Sequence, residues 1–137
     1  MLLERTNLRS LELADIGGEA CAAAVADLSF ISLTLVAPAL ARLTTPAAEL
    51  VLLVKPQFEA GRAQVSRGGI VREPDVHRKV LDDVIRGLAA ANLGVTQAMP
   101  SPLRGGAGNV EFLVHAQKGE PTITGADLDA VVAEAHP

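Results

Sequence analysis

Tryptophan and tyrosine are absent from this chain, and phenylalanine occurs only as Phe30, Phe58 and Phe112. RNA modules that stack single-stranded bases on rows of aromatic side chains are thereby excluded, and the three rings are expected to pack against a sheet. A single cysteine, Cys21, rules out an internal disulfide, and its alanine-rich setting predicts a buried, inert thiol. The three histidines, His77, His115 and His136, stand far apart without metal-ligand spacing, so no metal site is expected. No run approaches the roughly 18 to 20 uncharged apolar residues of a membrane span, and the N-terminus lacks the order of a signal peptide. A cytoplasmic chain without a membrane partner is the expectation. Excess positive charge is also missing. The net charge of −4 argues against nucleic-acid binding by bulk electrostatics alone.

About half of the 137 residues are hydrophobic, enough for one sizeable core in a single domain. The apolar run Leu50 to Val54 reads as a strand buried on both faces, and it empties into Lys55-Pro56-Gln57-Phe58-Glu59-Ala60-Gly61. Cys21 to Ala26 reads as a strand followed by Asp27, and Val110–Ala116 as a longer one that carries Glu111 at its start. Open α/β sheets bind ligands outside the carboxyl ends of their strands, so ionisable groups at strand ends are candidates for chemistry.

Between these strands, Phe30–Leu43 is apolar and predicts a helix that kinks at Pro38. From Asp75 to Leu93 the residues Val76, Val80, Leu81, Val84, Ile85 and Leu88 keep helical spacing, with Pro74 near the start and Gly94 at the end. Val95–Met99 is a short strand, and Thr124-Gly125-Ala126-Asp127 opens a C-terminal helix with a capping box that uses Asp in place of Glu or Gln. The segment from Gln57 to Pro74, rich in Gly and Arg, reads as a mobile substrate loop. Between Lys55 and Arg78 five cations face three anions, a local charge of +2. The order of elements is that of the second half of a doubly wound sheet, with the first half and its glycine-rich turn missing.

Glu4-Arg5-Thr6-Asn7-Leu8-Arg9, Asp27-Leu28-Ser29-Phe30-Ile31-Ser32-Leu33, Lys55 to Gly61, Gly68-Gly69-Ile70-Val71-Arg72 and Gly108-Asn109-Val110-Glu111-Phe112 occur in that order. Together they resemble the TlyA (hemolysin A) family of S-adenosylmethionine-dependent ribosomal RNA ribose 2′-O-methyltransferases. The resemblance runs from about Glu4 to Val114. It implies an α/β chain that is the C-terminal half of a Rossmann-like, FtsJ-type methyltransferase sheet with flanking helices and an antiparallel last strand pair. Residues 1–137 would then be a partial catalytic domain, without the first strands, the glycine-rich cofactor loop and the N-terminal RNA-binding domain of the family.

Carried over residue by residue, the resemblance implies three members of a Lys-Asp-Lys-Glu tetrad, Asp27, Lys55 and Glu111, with Lys55 as the base. It implies S-adenosylmethionine contacts at Asn7, Asp27, Leu28 and Ser29, and ribosomal RNA or a ribosomal subunit as partner. Arg62, Arg67, Arg72 and Arg104 are candidates for RNA phosphates. Other roles stay open at several of these positions: Asp27 as a helix cap, Glu111 as an edge residue, Asn7 as a turn former, and the arginines as solvated side chains. Membrane lysis, implied by the older family name, finds no support, because no strongly amphipathic basic helix or apolar hairpin of membrane length is present. An alternative to the enzyme is a truncated, inactive fragment acting as a structural or RNA-contacting module. An exposed strand edge would favour a homodimer or swapped pair.

Overall fold

The computed structural model describes all residues, Met1–Pro137. Four strands form one sheet: β1 (Cys21–Ala26), β2 (Thr44–Val54), β3 (Leu93–Pro100) and β4 (Phe112–Lys118). Their spatial order is β1-β2-β4-β3. β1 and β2 run parallel, joined by α1 (Leu33–Arg42), while β4 lies antiparallel between β2 and β3. The short α2 (Pro56–Glu59) and the long α3 (Pro74–Ala90) lie between β2 and β3, and α4 (Gly125–Ala135) follows β4.

Alternation along the strands decides where the core sits. Leu50, Leu52 and Val54 of β2 and Phe112, Val114 and Ala116 of β4 are buried in one cluster with Leu33, Val36 and Leu40 of α1, Val80, Leu81, Val84 and Leu88 of α3, and Leu128 and Val131 of α4. The intervening residues point the other way, and there Val51 is exposed and Leu53 half-buried. The expectation of a strand covered on both faces is therefore corrected: α1, α3 and α4 all bury their apolar stripes against one face of the sheet. Successive strand residues face opposite sides, so the second face keeps its apolar side chains in solvent.

Local differences have local causes. β2 begins at Thr44, earlier than the apolar run, and its pairing with β1 is irregular around the exposed Pro46, jumping from Cys21↔Thr44 to Ala23↔Glu49. α1 starts at Leu33 rather than Phe30, with the Ser32 hydroxyl accepting from Thr34 N as its cap, and it continues through Pro38 to Arg42. α3 ends at Ala90, and Asn92 takes the left-handed conformation that a glycine was expected to supply. Gly94 lies in β3 instead, against the backbone of Gly119 and Glu120. The Thr124–Asp127 capping box is formed as expected. Cys21 is exposed rather than buried, because β1 is an edge strand whose outward residues no helix covers.

Candidate active site

Register places the ionisable groups together. β2 and β4 pair antiparallel as far as Val54↔Phe112, so the next residues, Lys55 and Glu111, stand across from each other where the two strands part. On the other side, β1 pairs with β2 as far as Ala26↔Leu52, which brings Asp27 beside the same strand end. Asp27, Lys55 and Glu111 consequently line one cleft of about 720 Å³, together with Ser29, Phe30, Gln57, Arg104 and Asn109.

Lys55 Nζ donates to Asp27 Oδ1 at 2.6 Å and to Ser29 Oγ at 3.3 Å. The lysine side chain is 14% exposed and the aspartate 70%, so the stem is buried against the protein while the ion pair opens into the cleft. Asp27 does not cap α1; Ser32 does. Glu111 is only 5% exposed and is no edge decoration. Its Oε2 accepts from Gln57 Nε2 at 2.8 Å. Two carboxylates and two cations, Lys55 and Arg104, line the walls, which leaves the cleft balanced in charge.

Two glycine-bearing loops form the rim. Gly68 and Gly69 take positive φ in a tight turn closed by Ser66 N donating to Ile70 O at 2.7 Å. Asn109, 2% exposed, ties this loop to the one that precedes β4: its Oδ1 accepts from Val71 N at 2.9 Å, and its Nδ2 donates to Gly69 O at 2.8 Å and to Gly106 O at 3.0 Å. Glu59 fastens α2 to α1, with Oε2 accepting from Ser32 Oγ and Oε1 from Leu33 N. Burial raises the Glu59 carboxyl above its ordinary range, and the two hydrogen bonds oppose that shift.

The aromatic expectation holds for Phe112 and fails for Phe30 and Phe58, which pair with each other at the cleft. Phe112 is fully buried against His77, but Phe30 is 89% exposed at the cleft, in a left-handed conformation with φ 62°, and its ring centroid lies 4.8 Å from that of Phe58. A bulky side chain held in that conformation is strained, and such strain concentrates at functional sites.

The remaining sequence-derived residues are placed as follows. Leu28 lines a second, mainly apolar groove beside β1, of about 350 Å³, which also includes Leu8, Val25 and Leu40 and shares Asp27 with the cleft. Asn7 is outside both; its Oδ1 accepts from Arg9 N and caps a single 3-10 turn. Arg62, Arg67 and Arg72 are exposed on the loop after α2 and enter no ion pair, whereas Arg104 lies in the cleft wall. Gln57 and Asn109 carried no assigned role in the sequence, and Phe30 only that of packing against the sheet. A polar or aromatic residue inside an otherwise motif-bearing block was the available signal for each.

The family model described as FtsJ-like methyltransferase matches residues 1–118. The chain belongs to the FtsJ-like methyltransferase family. Among curated relatives, YqxC of Bacillus subtilis (strain 168), provisionally named an rRNA methyltransferase, is 42% identical over 142 residues, covering 99% of this chain and 50% of YqxC. The 16S/23S rRNA (cytidine-2′-O)-methyltransferase TlyA of Mycobacterium tuberculosis (strain ATCC 25618 / H37Rv) is 43% identical over 114 residues, covering 83% of this chain and 42% of TlyA. A solved structure of a Streptococcus thermophilus protein, provisionally named a hemolysin, superposes with a TM-score of 0.92 at 41% identity, over 96% of this chain and 48% of that one. This FtsJ-like chain thus spans about half the length of the curated relatives it matches. The mixed α/β sheet with its antiparallel β3–β4 pair is the architecture the resemblance implied.

Proposed function

We propose that this chain is the catalytic half of a methyltransferase that moves the methyl group of S-adenosylmethionine to a ribose 2′-hydroxyl of ribosomal RNA. The observation that carries the reading is the Lys55–Asp27 pair at 2.6 Å, facing the buried Glu111 across one cleft. The apolar groove beside β1 fits an uncharged ring system, and it opens onto the same Asp27 that pairs with Lys55. Asp27 and Leu28 would hold the cofactor there, with Ser29 on the side of the cleft and Asn7 next to the groove-lining Leu8. The cofactor supplies an electrophilic methyl on a sulfonium.

Lys55 acts as the general base for the ribose hydroxyl. The Lys55 stem is buried while Nζ opens into the cleft, so a ribose hydroxyl seated between it and Glu111 would lie within reach of the amine. Asp27 and Ser29 aim Nζ, and Glu111 orients the hydroxyl from the other wall, so most of the rate gain comes from placement. Phe30, exposed and strained at the cleft, offers a stacking surface for the base of the target nucleotide. Arg104 in the wall and Arg62, Arg67 and Arg72 on the loop take RNA phosphates. No helix is long and apolar enough to cross a membrane, and a ribosomal substrate places the work in the cytoplasm.

In the native protein, incubated with ribosomal subunits and labelled cofactor, digestion to nucleosides should yield a 2′-O-methylated nucleoside. Lys55→Ala should lower its rate by about a hundredfold or more while cofactor binding, read by calorimetry, persists. A base-methylated product, or an unchanged Lys55→Ala rate, would reject the reading. The uncovered sheet face favours a second reading, a structural or RNA-contacting module without turnover, in which a second copy could pair along the β1 edge. Saturable cofactor binding that Asp27→Ala abolishes would decide against it.

A further inference from the structure

Gln57 stands on α2 with its amide turned to Glu111, donating from Nε2 to Oε2 at 2.8 Å. The other end of that amide, Oε1, is buried and has no hydrogen-bond partner. Rotating the amide would set a carbonyl oxygen against the Glu111 acceptor oxygen, so the contact with Glu111 dictates its orientation and leaves Oε1 unsatisfied. A second constraint acts from the other side. A Cβ at residue 105 would overlap the Glu111 carboxylate, and only glycine leaves that space free. The carboxylate is thus confined between an amide donor and a bare backbone, while Asp27, Lys55 and Arg104 are the other charged groups of the same cleft.

We propose that Gln57 is a positioning residue: its amide, with Gly105 opposite, holds the Glu111 carboxylate at the orientation in which it meets the reacting ribose. The catalytic part of this proposal rests on the methyltransferase reading; the contact between the two side chains does not. Charge-assisted hydrogen bonds fix direction as well as distance, and misplacement of an orienting group costs rate rather than cofactor affinity.

Two variants of the native protein separate positioning from stability. Gln57→Leu removes the donor and keeps the bulk. Gln57→Glu keeps the shape but sets carboxyl against carboxyl, a pair that holds a shared proton only toward acid pH. Expected, with ribosomal subunits and S-adenosylmethionine, is a kcat for Gln57→Leu lower by about tenfold or more, with the KM for the cofactor within about twofold. Gln57→Glu should be comparably slow in mild alkali and recover as the pH falls, giving a profile displaced to acid. The side-chain amide of Gln57, followed by NMR, should show one proton shifted downfield in the unsubstituted protein and returned toward its free position in Glu111→Ala.

A Gln57→Leu rate equal to that of the unsubstituted protein, or a Gln57→Glu variant with an unchanged pH profile, would overturn the role of Gln57 alone. An amide signal indifferent to Glu111→Ala would overturn the contact. Absence of transfer by the unsubstituted protein, with the amide signal still shifted, would overturn the methyltransferase reading and the catalytic role of Gln57 with it.

Discussion

His77 is fully buried with both ring nitrogens engaged. Its Nε2 faces the Val71 carbonyl at 3.0 Å, which only accepts, so Nε2 carries the hydrogen, and Nδ1 accepts from His136 Nε2 at 2.8 Å. Burial holds the His77 ring below its ordinary range; the bond to Val71 opposes that shift, and His136 and Arg104 add to it. The sign follows. The folded chain binds fewer protons at this ring than the unfolded chain does, so stability falls as the pH drops through the ordinary histidine value of about 6.5. Denaturant midpoints should therefore decline from neutral pH toward pH 5 more steeply in the wild-type chain than in His77→Gln, which keeps hydrogen-bonding groups but cannot take the proton. Equal slopes would show that His77 contributes nothing to the acid sensitivity. Nothing in the sequence marked this ring, because a lone histidine on the apolar face of a helix has no local signature of its tertiary partners.

At the scale of elements, the molecule is joined by single side chains that reach between loops and helix ends. Lys118 of β4 donates to the Ala41 carbonyl at the C-terminus of α1 at 2.8 Å and to the carbonyls of Thr44 and Thr45 at the start of β2 at 3.1 and 3.5 Å, placing a cation at the negative end of the α1 dipole. Glu59 does the corresponding work at the N-terminus of the same helix through Ser32 and Leu33. Asn109 joins the two glycine loops of the cleft. Asn109→Ala would leave Val71 N and the carbonyls of Gly69 and Gly106 without that partner and should cost about 1 to 3 kcal/mol, measured by denaturant unfolding. Hydrogen exchange at the Val71 amide should quicken at the same time. An unaltered Val71 exchange rate would mean that the loops hold each other without Asn109.

For the whole molecule, the one-sided placement of α1, α3 and α4 makes neighbouring residues of β2 unequal. Leu50 is buried beneath the helices and Val51 is 39% exposed on the open face. Leu50→Ala should destabilise the 137-residue chain by about 2 to 5 kcal/mol, whereas Val51→Thr should stay within about 0.5 kcal/mol, both from chemical denaturation with unchanged slope. Comparable losses would show that the second face is also covered. The same asymmetry accounts for exposed Val25, Met99 and Cys21, none of which composition could assign to a surface. A continuous run of Leu and Val states that a strand is apolar on both sides; how many sides are covered depends on where the crossovers pass.

What the sequence determined by itself is local and periodic. The helical spacing from Val76 to Leu88, the Thr124–Asp127 box and the apolar runs ending at Asp27 and Lys55 each follow from residues within one or two turns of each other, where propensity and capping act. The motif blocks around Lys55 and Glu111 likewise pointed to one site. Only the tertiary structure decided the rest: the antiparallel register that sets Lys55 across from Glu111, the Gln57 amide on its carboxylate, the unexpected exposure of Phe30 and Cys21, and the capping role of Asn7. Each of these depends on which groups from distant segments compete for the same space or the same hydrogen bond, and that competition exists only once the chain has folded.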